Sequence, residues 1–335
     1  MDRMRLSAAA AAASLLVALI PLHVSGGGLE IVEAAEDLYF VRGTVGNVAF
    51  LVTGEGVLVV DSGQFPDHGE AVLREIARVT DSPVEYLVLT HYHMDHVGGA
   101  CAFPESATVA AHGNLPGNMR RHNEPRLRDL VENVYPRRIG DQERELASMD
   151  RGDEGFEAGE ERLERLRKGL EEMRRTSLVY PDTTFERTMT ITIGGRTVRL
   201  FHPGPAHTSC NTIVHFVDSK AVHMGDMLFY MRHPFIDARA GADTGNWIRA
   251  LEDVLEWDVE TVMPGHGGLT GRDGLEWEIG YLRELRREVA EALESGMTLE
   301  ETLEHVEMEG YAEIEGARML ESGIAAVYRE LAGTE

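Results

Sequence analysis

His91-Tyr-His-Met-Asp-His96 gathers three imidazoles and one carboxylate within six residues. It follows the apolar run Tyr86-Leu-Val-Leu89, which reads as a buried strand that stops at Thr90. A loop leaving such a strand can point His91 and His93 at one metal and turn Asp95 and His96 toward another. Imidazole nitrogen and carboxylate oxygen both bind zinc at roughly 2.0–2.2 Å. A catalytic zinc takes about three protein ligands and leaves a position for water, so four groups cannot complete two such sites. Further ligands must come from elsewhere in the chain.

They are offered where other strands end. His207 lies in Pro205-Ala-His-Thr-Ser-Cys-Asn211, Asp226 in Met224-Gly-Asp-Met227, and His266 in Pro264-Gly-His-Gly-Gly268. A carboxylate such as Asp226 can bridge two metals, which an imidazole does poorly. His112, His122, His202, His215 and His305 lack such surroundings and read as core or surface residues.

These segments, in this order, resemble the metallo-β-lactamase fold superfamily over residues 38–268. The resemblance implies an α/β fold, an αββα metallo-β-lactamase sandwich with a two-metal site at one edge. It implies a first zinc on His91, His93 and His207. A second would sit on Asp95, His96 and His266, with Asp226 bridging. Asp61, which ends an early strand, would support the ligands from behind, and His223 would lie behind them or in the core. Asp95 would also be catalytic, orienting a metal-bridging hydroxide. Two Zn2+ ions are the expected cofactors, although His/Asp sites accept iron, manganese or cobalt as well.

The departures bear on substrate. Ala206 stands where the family has glycine, and Asp226 where the best-known zinc β-lactamases carry cysteine. No lysine-bearing loop follows; Met227-Leu-Phe-Tyr-Met-Arg-His-Pro-Phe235 does instead. The bridging aspartate resembles lactonase-like and glyoxalase-II-like hydrolases more closely. Phe229, Tyr230 and His233, with Phe235, are candidate substrate-pocket residues. The expected activity is zinc-dependent hydrolysis of a small acyl substrate: an ester, lactone, lactam or thioester. The alternatives are phosphodiester hydrolysis on the same fold, or a non-catalytic metal-binding accessory protein of an exported oxidation pathway.

Around this centre the sequence divides into three parts, the first an export signal. Arg3 and Arg5 precede a nearly unbroken apolar run from Leu6 to Leu22, and small residues Ser25-Gly-Gly-Gly28 follow. Residues 1–28 therefore read as a cleaved signal peptide of an exported, periplasmic or secreted protein. Residues 29–270 carry the strands of the sandwich. Within them, residues 114–180 form an insertion, where Leu163, Leu166, Leu170 and Met173 recur at helical spacing among charges. Residues 271–335 read as an acidic helical extension.

The chain has 335 residues and a formal net charge of −25, which disfavours nucleic acid and anionic lipid as partners. A small-molecule substrate is expected, with no stable membrane insertion after cleavage. Cys101 and Cys210 are too few for a thiolate zinc site, and one bridge between them stays open. The oligomeric state is not legible.

Overall fold

The computed structural model describes residues 28–333. The export segment, but for Gly28, lies outside the described residues.

One sheet holds seven strands in sequence order: β1 (Glu30–Ala35), β2 (Leu38–Arg42), β3 (Val48–Thr53), β4 (Gly56–Val60), β5 (Val84–Leu89), β6 (Thr108–His112) and β7 (Thr183–Phe185). It is antiparallel from β1 to β4 and parallel from β4 to β7. The second sheet has β8 (Thr188–Ile193), β9 (Arg196–Phe201), β10 (Ile213–Phe216), β11 (Ala221–His223) and β12 (Thr261–Met263), ordered β12-β11-β10-β9-β8. Only its β11–β12 pair is parallel.

The helices are α1 (Pro66–Val79), α2 (Met94–Val97), α3 (Leu115–Asn118), α4 (Glu124–Asp129), α5 (Tyr135–Ala147), α6 (Phe156–Arg175), α7 (Thr244–Leu255), α8 (Arg272–Glu294), α9 (Leu299–His305) and α10 (Ala317–Ala332). Parallel neighbours need a crossover, and helices supply it: α1 joins β4 to β5, and α7 joins β11 to β12.

The strands' two-residue period makes the layers. Leu58, Val60 and Val88 point between the sheets and meet Val198, Leu200, Val214 and Phe216. Val57, Val59, Leu87 and Leu89 point the other way and pack with Val72 and Ile76 of α1. On the far side, Ile213 and Val222 cluster with Trp247 and Leu251 of α7 and with Leu275 and Leu282 of α8. The order of layers is thus helix, sheet, sheet, helix. The insertion packs Leu130, Val134, Leu166, Leu170 and Met173 around Phe65.

Three elements carry weak sequence signals. β1 is an exposed, glutamate-bearing edge strand, and β7 has only three residues, so neither shows a strong apolar alternation. α1 opens on a proline, Pro66. A proline in the first turn loses no helical bond, because its missing N–H would have had no partner there. The insertion also contains two π-helical turns, Met119–Asn123 and Leu130–Val134.

Candidate metal centre

The centre lies where β4, β5, β11 and β12 end. Asp61 follows β4 directly, Thr90 and His91 follow β5, and α2 carries Asp95 and His96. His207 sits between β9 and β10, Asp226 just after β11, and His266 just after β12. Seven residues dispersed over 176 positions of sequence thus meet at one edge of the sandwich. Two glycines make room for them. A Cβ on Gly46 would lie 2.7 Å from His96 Nε2, and one on Gly265 would lie 2.2 Å from Asp226 Oδ1.

The side chains fall into two groups. In one, donor atoms of His91, His93, His207 and Asp226 all lie within 4.8 Å of one another; in the other, those of Asp95, His96 and His266 do. His93 Nδ1 is 3.0 Å from His91 Nε2 and 3.1 Å from His207 Nε2. Asp226 divides its carboxylate between the groups. Its Oδ2 is 3.5 Å from His91 Nε2 and 3.6 Å from His207 Nε2. Its Oδ1 is 3.0 Å from His96 Nε2 and 3.4 Å from His266 Nε2. Asp95 Oδ2 is 3.2 Å from His266 Nε2 and 3.7 Å from His96 Nε2.

Partners behind the rings decide which nitrogen faces inward. Asp61 accepts from Thr90 N, from Thr90 Oγ1 and, at 2.7 Å, from His96 Nδ1. Its backbone sits at φ 64°, a conformation costly for a side chain other than glycine and here held by those three bonds. Because the Thr90 hydroxyl hydrogen goes to Asp61, its oxygen must accept from His91 Nδ1, at 3.0 Å. His207 Nδ1 donates to the Phe235 carbonyl at 2.7 Å. His93 Nε2 donates to Asp237 Oδ2 at 3.0 Å. Each ring makes its outward bond through one nitrogen, so the other nitrogen of His91, His93, His96 and His207 faces the interior. The buried His96 Nε2 and Asp226 Oδ1 have no hydrogen-bond partner among the described residues. Lone pairs about 3 Å apart repel unless a cation lies between them, so the donor set fits metal ions.

The two groups differ in how they hold protons. Burial, with repulsion from His96, sets the His91 imidazole well below its ordinary value. Burial and His93 bring His207 down to about 4. In the other group burial is outweighed: carboxylates of Asp226, Asp95 and Asp61 hold His96 well above its ordinary value. Asp226 and Asp95 bring His266 up to about 9 against burial. Asp95 and Asp226 are correspondingly lowered, against burial, by His96 and His266. Without metal, His91 and His207 are neutral imidazoles, whereas His96 and His266 carry protons where a cation would otherwise sit.

Other histidines stay apart. His202 stacks on His112 with ring centroids 3.5 Å apart and bonds the Asn211 carbonyl. His223 is buried behind the centre, accepting from Gly225 N at 3.1 Å, and burial brings it down to about 4. Of the candidate pocket residues, Phe229 lies flat on His266, with centroids 5.0 Å apart and planes at 12°. Phe235 lies 5.4 Å from His93 by centroids. Tyr230 is half-buried beside Trp277, and His233 is buried with its Nδ1 2.8 Å from the Tyr281 hydroxyl. Cys101 and Cys210 are both free thiols.

Sequence reading missed Asp237. It is buried, accepts from Tyr92 Oη as well as from His93, and is held low by them against burial. No helix among the described residues is long and apolar enough to cross a membrane.

Comparison with known proteins places this geometry. A linear primary-alkylsulfatase from Pseudomonas sp. is 23% identical over 266 residues, covering 76% of this chain and 48% of that protein. A 2,4-dinitroanisole O-demethylase subunit alpha from Nocardioides sp. is 24% identical, covering 63% of this chain and 49% of that protein. The chain therefore spans about half the length of these curated relatives. Among solved structures, a stereoselective inverting sec-alkylsulfatase from Pseudomonas sp. matches with TM-score 0.63 and 16% identity, over 92% of this chain and 51% of that one. A metallo-beta-lactamase from Pontibacter korlensis matches with TM-score 0.55 and 19% identity, over 76% of this chain and 99% of that one. The family model for the metallo-beta-lactamase superfamily matches residues 41–266, which run from β2 through His266 and hold every residue of both groups, and the chain belongs to that superfamily.

Proposed function

We propose that this protein is a dinuclear metal hydrolase of a small ester. The observation that carries the reading is the division of the Asp226 carboxylate, one oxygen toward His91 and His207 and the other toward His96 and His266. One metal would be held by His91, His93 and His207, the other by Asp95, His96 and His266, with Asp226 shared. Bound there, two divalent ions would supply Lewis acidity, polarising the scissile group and lowering the pKa of the attacking water.

The chain's own residues do the rest. Asp95 is the more open of the two carboxylates, its side chain 23% exposed against 3% for Asp226. It is placed to accept a hydrogen bond from the attacking water and to hold its proton. Phe229 and Phe235 flank the histidines and exclude water from one side. Nothing in this arrangement calls for a serine or cysteine nucleophile, and the Cys210 thiol, buried beside Thr208, is pushed up by burial.

Two kinds of substrate suit the centre. The first is an acyl ester, lactone, lactam or thioester. The second is a sulfate ester, favoured by one observation: the alkylsulfatase structure matches 92% of this chain, insertion and extension included, whereas the Pontibacter enzyme matches 76%. Purified protein with a measured metal content, assayed against lactones, thioesters, lactams, phosphodiesters and alkyl sulfates, tests both. Turnover of one class that disappears with a chelator and returns with metal is the expected result. Metal-loaded protein inert to every class contradicts the reading.

A further inference from the structure

The family match ends at His266, yet the extension beyond it reaches back to the centre. Glu278 on α8 is 0% exposed and sits among Leu275, Ile279 and Leu282 in the apolar cluster. Its Oε2 accepts from the Phe229 backbone N–H at 3.0 Å, and its Oε1 has no partner among the described residues. Phe229 pairs with His266 as a short parallel bridge. Tyr230 N donates to the His266 carbonyl at 3.0 Å, and the Phe229 ring lies flat on the His266 imidazole. His266 N donates to the Leu228 carbonyl at 3.5 Å, so the N–H given to Glu278 lies between the two backbone groups that hold His266.

We propose that Glu278 is a positioning residue for the second metal group: its carboxyl clamps the Phe229 backbone, and the Phe229–His266 bridge transmits that constraint to the His266 ring. The proposal rests on the two-metal reading for its functional meaning, but the clamp itself is a property of the metal-free chain.

Stability alone gives a poor account of this residue. A carboxyl in an apolar cluster is costly to bury, and an apolar side chain of similar volume would often stabilise the fold. Glu278 is pushed up to about 8 by burial, so near neutral pH it is largely uncharged and accepts as a carboxylic acid. The Phe229 N–H, in turn, would be left buried and unpaired without it. Outer partners of metal ligands typically change metal affinity or activity by about 10–100-fold.

Three proteins test this: wild type, Glu278→Gln, which keeps an acceptor, and Glu278→Leu, which removes it. Hydrogen exchange of the metal-free proteins reads the clamp. Glu278→Leu should exchange roughly tenfold faster or more across residues 226–233 and 264–268, with α1 unchanged, while Glu278→Gln matches wild type. Chelator competition then reads the consequence: Glu278→Leu should bind its second metal about 10–100-fold more weakly and its first normally. If Glu278→Leu does not fold, Glu278→Asp replaces it, since the shorter side chain withdraws the carboxyl by one methylene. Unchanged exchange in the acceptor-deficient variant overturns the proposal, as does equal loosening in Glu278→Gln. Wild-type protein that binds one metal would instead overturn the two-metal reading, leaving the exchange contrast to decide the clamp.

Discussion

Asp237 Oδ2 accepts the Nε2–H of His93 at 3.0 Å, and that bond turns the ring's Nδ1 toward His91 and His207. Tyr92 secures Asp237 from the same side. The first metal group therefore depends on a carboxylate that touches no metal position itself.

Asp237→Asn should weaken this group without emptying the second. An asparagine amide can offer N–H to Nε2, which lets the ring keep its proton on Nδ1, facing inward. The expected loss is about 10–100-fold in affinity for the first metal, read by competition with a chromophoric chelator. Wild-type affinity in the variant would show that ring orientation is fixed by something else.

Metal uptake should be pH-dependent in one group and nearly flat in the other. His207, brought down to about 4, is already neutral at pH 7, so a metal there displaces few protons. His266, brought up to about 9, and His96, held well above its ordinary value, are protonated at pH 7 in the metal-free protein. Affinity at the second group should therefore fall as pH drops below about 9, with about two protons released per metal at neutral pH. Protonated His266 also stabilises the metal-free fold at acid-to-neutral pH, and that contribution should disappear as pH rises through about 9; His96, held well above its ordinary value, acts in the same direction. Calorimetric titration in buffers of different ionisation enthalpy measures the proton count; equal release for both metals would contradict the assignment.

Asp95 separates catalysis from metal binding. Asp95→Asn keeps the shape but loses charge and proton-accepting capacity. The first metal should survive, the second should weaken, and turnover should fall by about 10²–10⁴-fold. The decisive comparison is kcat with excess metal. Full recovery once both metals are bound would reduce Asp95 to a ligand.

How much of this was legible in the sequence depended on distance along the chain. His91, His93, Asp95 and His96 stand together and announced themselves. His207, Asp226 and His266 were found because each follows an apolar run that ends in a strand, and the structure brings all three to the same edge. Asp237 was not found, because it is 144 residues from His93 and only the turn after Phe235 brings it back. His233 reads as a candidate pocket residue from its aromatic neighbours, and in the structure its ring is bonded to Tyr281 on α8. In the sequence Glu278 reads as one more charge on an acidic helix. The signal was present: it falls three residues after Leu275 and four before Leu282, on the buried face. The layers of the fold were legible from two-residue and helical periods, whereas β1 and β7 carry too little apolar pattern to be seen.

In the two-metal reading Asp226 lies between the ions. The test is anomalous diffraction from crystals of metal-loaded protein, with data on both sides of the absorption edge. Two peaks roughly 3.5–4 Å apart, one beside His91, His93 and His207 and the other beside Asp95, His96 and His266, with the Asp226 carboxylate between them, is the predicted result. A single peak, or peaks away from Asp226, would contradict it.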